Sequence, residues 1–173
     1  MLLGYILIFL FIIFDQLTKQ LARIFLMASG EKLIWIPRLL EIQYHENDGM
    51  SFGLFSGQQA LFAVVTVIAL LIFGYLFKDI SFKTKKMYSW SIVLFIAGTL
   101  GNAIDRLIYG FVIDFLHYPF LDAPLRLIGL NNFYNNIADM VLSVAIVLFA
   151  IDMFVFEPKR TKKEVSSDEN HSH

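Results

Sequence analysis

Apolar residues gather into four long runs, at 4–27, 60–77, 87–109 and 137–156. Each approaches the ~20 residues that a helix needs to cross a hydrocarbon core. Lipid offers no partner to an open backbone, so helices are the expected form. Polar residues interrupt the runs unevenly. The 60–77 run carries no charge, whereas 4–27 contains Asp15, Lys19 and Arg23. The 87–109 run has Asn102, Asp105 and Arg106 near its end, and 137–156 has Asp139 at its start and Asp152 near its end. Between the first two runs, 33–37 and 39–44 read as short strands, the second with Leu40, Ile42 and Tyr44 alternating against Glu41 and Gln43. Asn47-Asp48-Gly49 then supplies a turn. In 110–135, Pro119, Pro124 and Gly129 argue against a long helix. The reading is a membrane all-α fold, four transmembrane helices with a small β-element over one face. The helical unit spans 1–157, and 158–173 is a basic, then polar tail expected to be disordered.

Composition agrees with lipid as the solvent. The chain is 57% hydrophobic and 17% charged, against about 25% charged in a soluble domain. The N-terminal run has no Lys or Arg before Lys19 and no small-residue cleavage site, so it reads as a retained helix rather than a cleaved leader. Lys78, Lys83, Lys85 and Lys86 fill the second loop, and Lys159, Arg160, Lys162 and Lys163 the tail. The other two loops hold only Lys32, Arg38 and Arg126. Basic loops stay inside, which predicts both termini in the cytoplasm and the β-element outside. A net charge of −1 gives no sign of nucleic-acid binding, and the absence of cysteine excludes disulfides, thiolate catalysis and Cys-ligated metals.

Ionisable residues at membrane depth are expensive and tend to be functional. Here they collect at the outer ends of helices one, three and four. Asp15 and Lys19 stand at i,i+4 on one helix face. They read either as an ion pair that lets the helix enter the membrane or as support for polar groups next door, and in neither case as reacting groups. Asp105 and Arg106 fall within about 60° of Asn102 around the helix, and Gly98 and Gly101 leave room for a close neighbour. An Asp–Arg pair ending the helix would explain the charges but not the amide of Asn102. Asn136 and Asp139 read as an N-cap and a first-turn acid, and Asp114 alone as a turn or cap residue. Together, Asp114 and Asp139 bracket one outer loop where it meets the membrane. If they meet, they should share one proton; one carboxylate can then take a proton from water while the other donates one.

Other chemistries fit less well. His45 and His117 have no metal-ligand spacing. A Ser51–Lys19 dyad conflicts with Asp15, which would keep Lys19 charged. A small proton-coupled transporter is the alternative class, but its acid belongs near the midplane rather than at one end.

Five short motifs lie along the chain in order. They are Asp15-Gln16-Leu17-Thr18-Lys19, Asn47-Asp48-Gly49-Met50-Ser51-Phe52, Gly101-Asn102-Ala103-Ile104-Asp105-Arg106, Val112-Ile113-Asp114-Phe115 and Asn136-Ile137-Ala138-Asp139. The set resembles the lipoprotein signal peptidase (type II signal peptidase) family, over nearly the whole chain to about Phe156. Three departures stand out: Asn135 where the family has Phe, Met50-Ser51 for a commoner Ala-Ala, and 118–132 as an insertion between the aspartates.

The resemblance implies four transmembrane helices with an extracytoplasmic β-cradle in the bacterial cytoplasmic (inner) membrane. It implies an aspartic endopeptidase that cleaves diacylglyceryl-modified prolipoproteins just before the lipidated cysteine, with Asp114 and Asp139 as catalytic dyad. Asn47, Gly49, Asn102, Asp105, Arg106 and Asn136, backed by Asp15 and Lys19, would orient the dyad and hold substrate backbone. No cofactor and no metal are implied, and a monomer in contact with membrane lipid is expected.

Overall fold

The computed structural model describes residues 1–27, 29–49 and 57–162. Met50, Ser51 and Phe52 of the second motif, and the tail from 163 onward, lie outside the described residues.

Among the described residues, four helical stretches are long and apolar enough to cross a membrane: Leu2–Met27, Gln59–Asp79, Lys86–Tyr109 and Ile137–Lys162. The first comprises α1 (Leu2–Ala22) and a widened π-helical end, Arg23–Met27. The second is α2 (Gln59–Leu76) closed by a 3-10 turn, and the third is α3 (Lys86–Tyr109). The last begins as α5 (Ile137–Ile151), loosens to a π-helix over Asp152–Phe156 and continues past the expected end at 156. Buried Asp152 accounts for the extension, because Arg160 grips both its oxygens at 2.9 and 2.6 Å.

Helix α3 is the hub. It packs on α1, α2 and α5, and more than half of its spanning window is buried, against 6% for α2. Its small residues allow this. A Cβ on Gly98 would meet Leu142 Cγ at 2.6 Å and the Ala138 carbonyl at 2.8 Å; one on Gly101 would meet Asp15 Oδ2 at 2.7 Å. The outward faces of α1, α2 and α5 carry large exposed side chains such as Phe9, Leu71 and Val147, as lipid-facing surfaces do.

At one end of the bundle sits a four-stranded antiparallel sheet, ordered β1-β2-β3-β4. Strands β1 (Lys32–Ile36) and β2 (Leu40–Asn47) are the two short strands expected here, and they pair antiparallel as a hairpin. Strand β3 (Val112–His117) follows α3 directly and is buried throughout. The left-handed Gly110, at φ 82°, makes the sharp reversal between them. Asp114 therefore lies mid-strand, facing His45 of β2, rather than in a turn. Between β3 and the two-residue β4 (Tyr134–Asn135) runs a nine-residue helix, α4 (Pro119–Leu127). Pro119 fits there because the first helical position needs no N–H, and α4 is as short as its prolines require.

Candidate active site

The polar residues of α1, α3, α5, β2 and β3 converge where the sheet meets the bundle. Asn136 caps α5, taking the Asp139 N–H on its Oδ1 at 2.9 Å while Asp139 Oδ2 accepts the Asn136 N–H at 3.3 Å. This reciprocal box fixes the Asp139 side chain and leaves Oδ1 for another partner. That partner is Asn102 of α3, whose Nδ2 donates at 2.7 Å. The cap reading holds, and the same geometry leaves Asp139 joined to Asn102 of α3.

Asp114 is fully enclosed. Asn136 Nδ2 donates to its Oδ1 at 2.6 Å, and Asn47 Nδ2 to its Oδ2 at 2.8 Å. Asn47 reaches it because Asn47 pairs with Val112, placing it diagonally from Asp114 on the sheet. The Asn47 Oδ1 accepts the Gly49 N–H at 3.0 Å, closing the turn that follows β2. The two aspartates are linked through asparagines, since Asn136 Nδ2 also donates to Asn102 Oδ1 at 3.2 Å.

Burial pushes the Asp114 carboxyl up to about 7, and the neighbouring Asp139 carboxylate pushes the same way; hydrogen bonds from Asn47 and Asn136 and the Lys19 charge oppose the rise. A carboxyl group that keeps its proton near neutrality can donate it.

Lys19, Asp15 and Asp105 lie beneath this layer. Lys19 Nζ is 2.8 Å from Asp15 Oδ2, 3.0 Å from Asp105 Oδ2 and 2.9 Å from Asn102 Oδ1. Lys19 thus pairs with Asp15 on its own helix and reaches Asp105 and Asn102 on the neighbouring one. Arg106 follows a different course from Asp105. Its Nη2 donates to the Gly49 carbonyl at 3.3 Å and its guanidinium lies 4.7 Å over the Phe62 ring of α2. Arg106 thereby walls a cleft of ≈ 270 Å³ lined by Asn47, Gly49, Asn102, Asp139 and the apolar Phe62, Val65 and Leu142, among others. Partly exposed Asp139 opens into that cleft, while Asp114 stands behind it.

Sequence reasoning gave no role to Gln16 or Phe62. Gln16 Nε2 donates to Asp105 Oδ1 at 2.9 Å and to the Gly101 carbonyl at 3.0 Å. An amide inside an apolar run, next to Asp15, was the available signal. Phe62 had none, being one of many aromatics. His117 and His45 serve the sheet: they stack on either side of Tyr134, at 4.6 and 4.2 Å, and His117 binds Glu41 and Asp122. No three His, Asp or Glu side chains converge as metal ligands among the described residues.

Comparison with known proteins gives one answer. The sequence profile of the signal peptidase (SPase) II family matches residues 7–155. A lipoprotein signal peptidase of Thermodesulfovibrio yellowstonii is 40% identical over 82% of this chain and 88% of its own length. One from Lactococcus lactis is 36% identical over 93% of this chain and 98% of its own. Two solved bacterial membrane enzymes have the same fold, with TM-scores of 0.69 and 0.68 at 32% and 31% identity. They cover 87% and 88% of this chain, and 86% and 93% of theirs.

Proposed function

Because the chain belongs to the signal peptidase II family, we propose that this multi-pass membrane protein removes the signal peptide from diacylglyceryl-modified prolipoproteins, with Asp114 and Asp139 as the dyad. The observation that carries the reading is the pairing of two acids from different elements, each given a donor by an asparagine that also bonds the other asparagine.

The reaction needs one ionised and one protonated carboxyl group. The ionised carboxylate takes a proton from a water molecule as its oxygen attacks the scissile carbonyl carbon. The protonated partner donates to the carbonyl oxygen, giving a neutral gem-diol. Collapse re-forms the carbonyl and breaks the C–N bond. A gem-diol hydroxyl returns its proton to the partner carboxylate, and the departing amine of the lipidated cysteine takes the proton that the first carboxylate had drawn from water, which restores the dyad. The donors already aimed at the dyad hold its oxygens in place before substrate arrives. No cofactor enters any of these steps.

The cleft suits an extended peptide. Asn47, Asn102 and the Gly49 turn present polar groups to its backbone, Arg106 fixes that turn, and Phe62, Val65 and Leu142 offer apolar contact. The site lies at the sheet end of the bundle. With the basic loop and tail inside, that end is the outer face of the cytoplasmic membrane, where a lipid-anchored substrate presents its bond. The protein acts as a monomer.

The test uses purified protein in lipid with a synthetic peptide carrying a diacylglyceryl cysteine, and the same peptide without the lipid. Mass spectrometry should find a product beginning at the lipidated cysteine and none from the bare peptide. Cleavage at another bond, or equal cleavage of both peptides, would contradict the proposal.

A further inference from the structure

We propose that Lys19, with Asp15 and Asp105, is a two-armed clamp that sets the separation of the two dyad carboxylates, an inference that rests on the dyad reading above. The residue just before each dyad aspartate has its main-chain N–H held by a buried carboxylate. Ala138 N donates to Asp15 Oδ1 at 2.8 Å, and Ile113 N donates to Asp105 Oδ2 at 3.0 Å. One arm therefore runs from α1 to the start of α5, and the other from α3 to β3.

Both arms end on the same ammonium. Lys19 Nζ lies 2.8 Å from Asp15 Oδ2 and 3.0 Å from Asp105 Oδ2, with a side-chain exposure of 0%. Its third donor goes to Asn102 Oδ1 at 2.9 Å. An ammonium has three N–H donors and no acceptor, so each is matched to one of these oxygens. That third bond orients an amide as well. With Lys19 and Asn136 on its oxygen, Asn102 must turn Nδ2 toward Asp139. Gln16 braces the arms against each other, reaching Asp105 Oδ1 at 2.9 Å and Asp15 Oδ2 at 3.3 Å.

Charge burial alone does not explain the cluster. One carboxylate neutralises one ammonium, and a buried ion pair is often no more stabilising than apolar residues of the same volume. The second carboxylate has its own use, because each holds a different main-chain N–H. Gly101 belongs to the device too, since any Cβ there would meet Asp15 Oδ2 at 2.7 Å. The three ionisable residues act through the backbone and through Asn102, so they are positioning residues rather than reacting groups.

Lys19→Met keeps most of the side-chain volume and removes the hub. Misplacing reacting groups by about 1 Å can cost on the order of 100-fold in rate. Lys19→Met, compared per folded molecule in lipid, should lower kcat by about 30- to 100-fold while KM moves less than about threefold. Loss of the Lys19 charge moves the pH profile by itself, so kcat is compared at each protein's own pH optimum. A purely structural role would lower yield or Tm and leave kcat of the folded fraction, at its own pH optimum, unchanged; that result would overturn the clamp. If Lys19→Met does not fold, Asp15→Asn and Asp15→Leu decide. Asparagine keeps an oxygen for Ala138 N, so its kcat should exceed that of the leucine variant by about tenfold or more; equal kcat would overturn the proposal. Asp114→Asn assayed alongside separates the two readings. Its inactivity beside an unaffected Lys19→Met sinks only the clamp, whereas its activity sinks the dyad.

Discussion

Asp114 sits between opposing influences. Burial and the Asp139 carboxylate raise its pKa, while amide donors from Asn47 and Asn136 stabilise the ionised form. The balance, at about 7 against 3.8 for a free side chain, has a consequence for stability. Between these values the unfolded chain has lost the proton and the folded chain still holds it, so stability contributed by this group falls as pH rises through that window and is flat beyond it. The Tm of the wild type in detergent is expected to fall between about pH 4 and pH 7, with a shallower slope for Asp114→Asn; identical slopes would mean that Asp114 is not the group responsible. Asn102 makes a complementary case. It gives Asp139 a hydrogen bond at 2.7 Å while its oxygen is held by Lys19 and Asn136. Loss of one bond to a charged group costs about 1.5–3 kcal/mol. Asn102→Ala should therefore lower kcat/KM by about 10- to 100-fold while the protein remains folded in the membrane. Wild-type turnover would remove Asn102 from the site.

Among the elements, the spanning helices were legible because length and apolarity alone define them. The strands of the hairpin were legible from the alternation of the second, and the Asn47-Asp48-Gly49 turn marks where that strand ends. Strand β3 was not. Val112 to Leu116 is an apolar run around one acid, and a strand buried on both faces has no period by which to recognise it. Strand β4 is two residues long and exists only because β3 offers an edge. The last helix outruns its apolar run because the Asp152–Arg160 pair, which carries it into the basic tail, is a side-chain interaction that apolarity does not register. A close neighbour for α3 could be anticipated from Gly98 and Gly101, though not which helix it would be or the consequence for the site. A Cβ on Gly98 would meet the Ala138 backbone carbonyl at 2.8 Å, and that carbonyl cannot swing aside. Gly98→Ala should push the start of α5, and Asp139 with it, outward, lowering kcat by up to about 100-fold. If Gly98→Ala is fully active, the contact does not fix the site.

At the scale of the whole molecule, the motifs are scattered over most of the chain and the fold collects them at one end. Order and spacing pointed to which residues belong together, but not to how Asn102, Asn136 and Lys19 divide their hydrogen bonds. That division depends on distances between elements far apart in the chain. Placing the site at the outer face requires the 78–86 loop and the tail inside. Reporter fusions at Lys85 and Gly57 should therefore report opposite sides; the same side for both would break the four-span topology. Asp114 and Asp139 are proposed to act as one reacting unit, and the kinetics of their asparagine variants decide it. Purified, folded Asp114→Asn, Asp139→Asn and the double variant are compared in lipid, with the diacylglyceryl-modified peptide as substrate. Each single variant is expected to lose cleavage entirely, and the double variant to be hardly worse, because groups acting as a unit do not add. Substantial cleavage by either single variant would place the catalytic groups elsewhere.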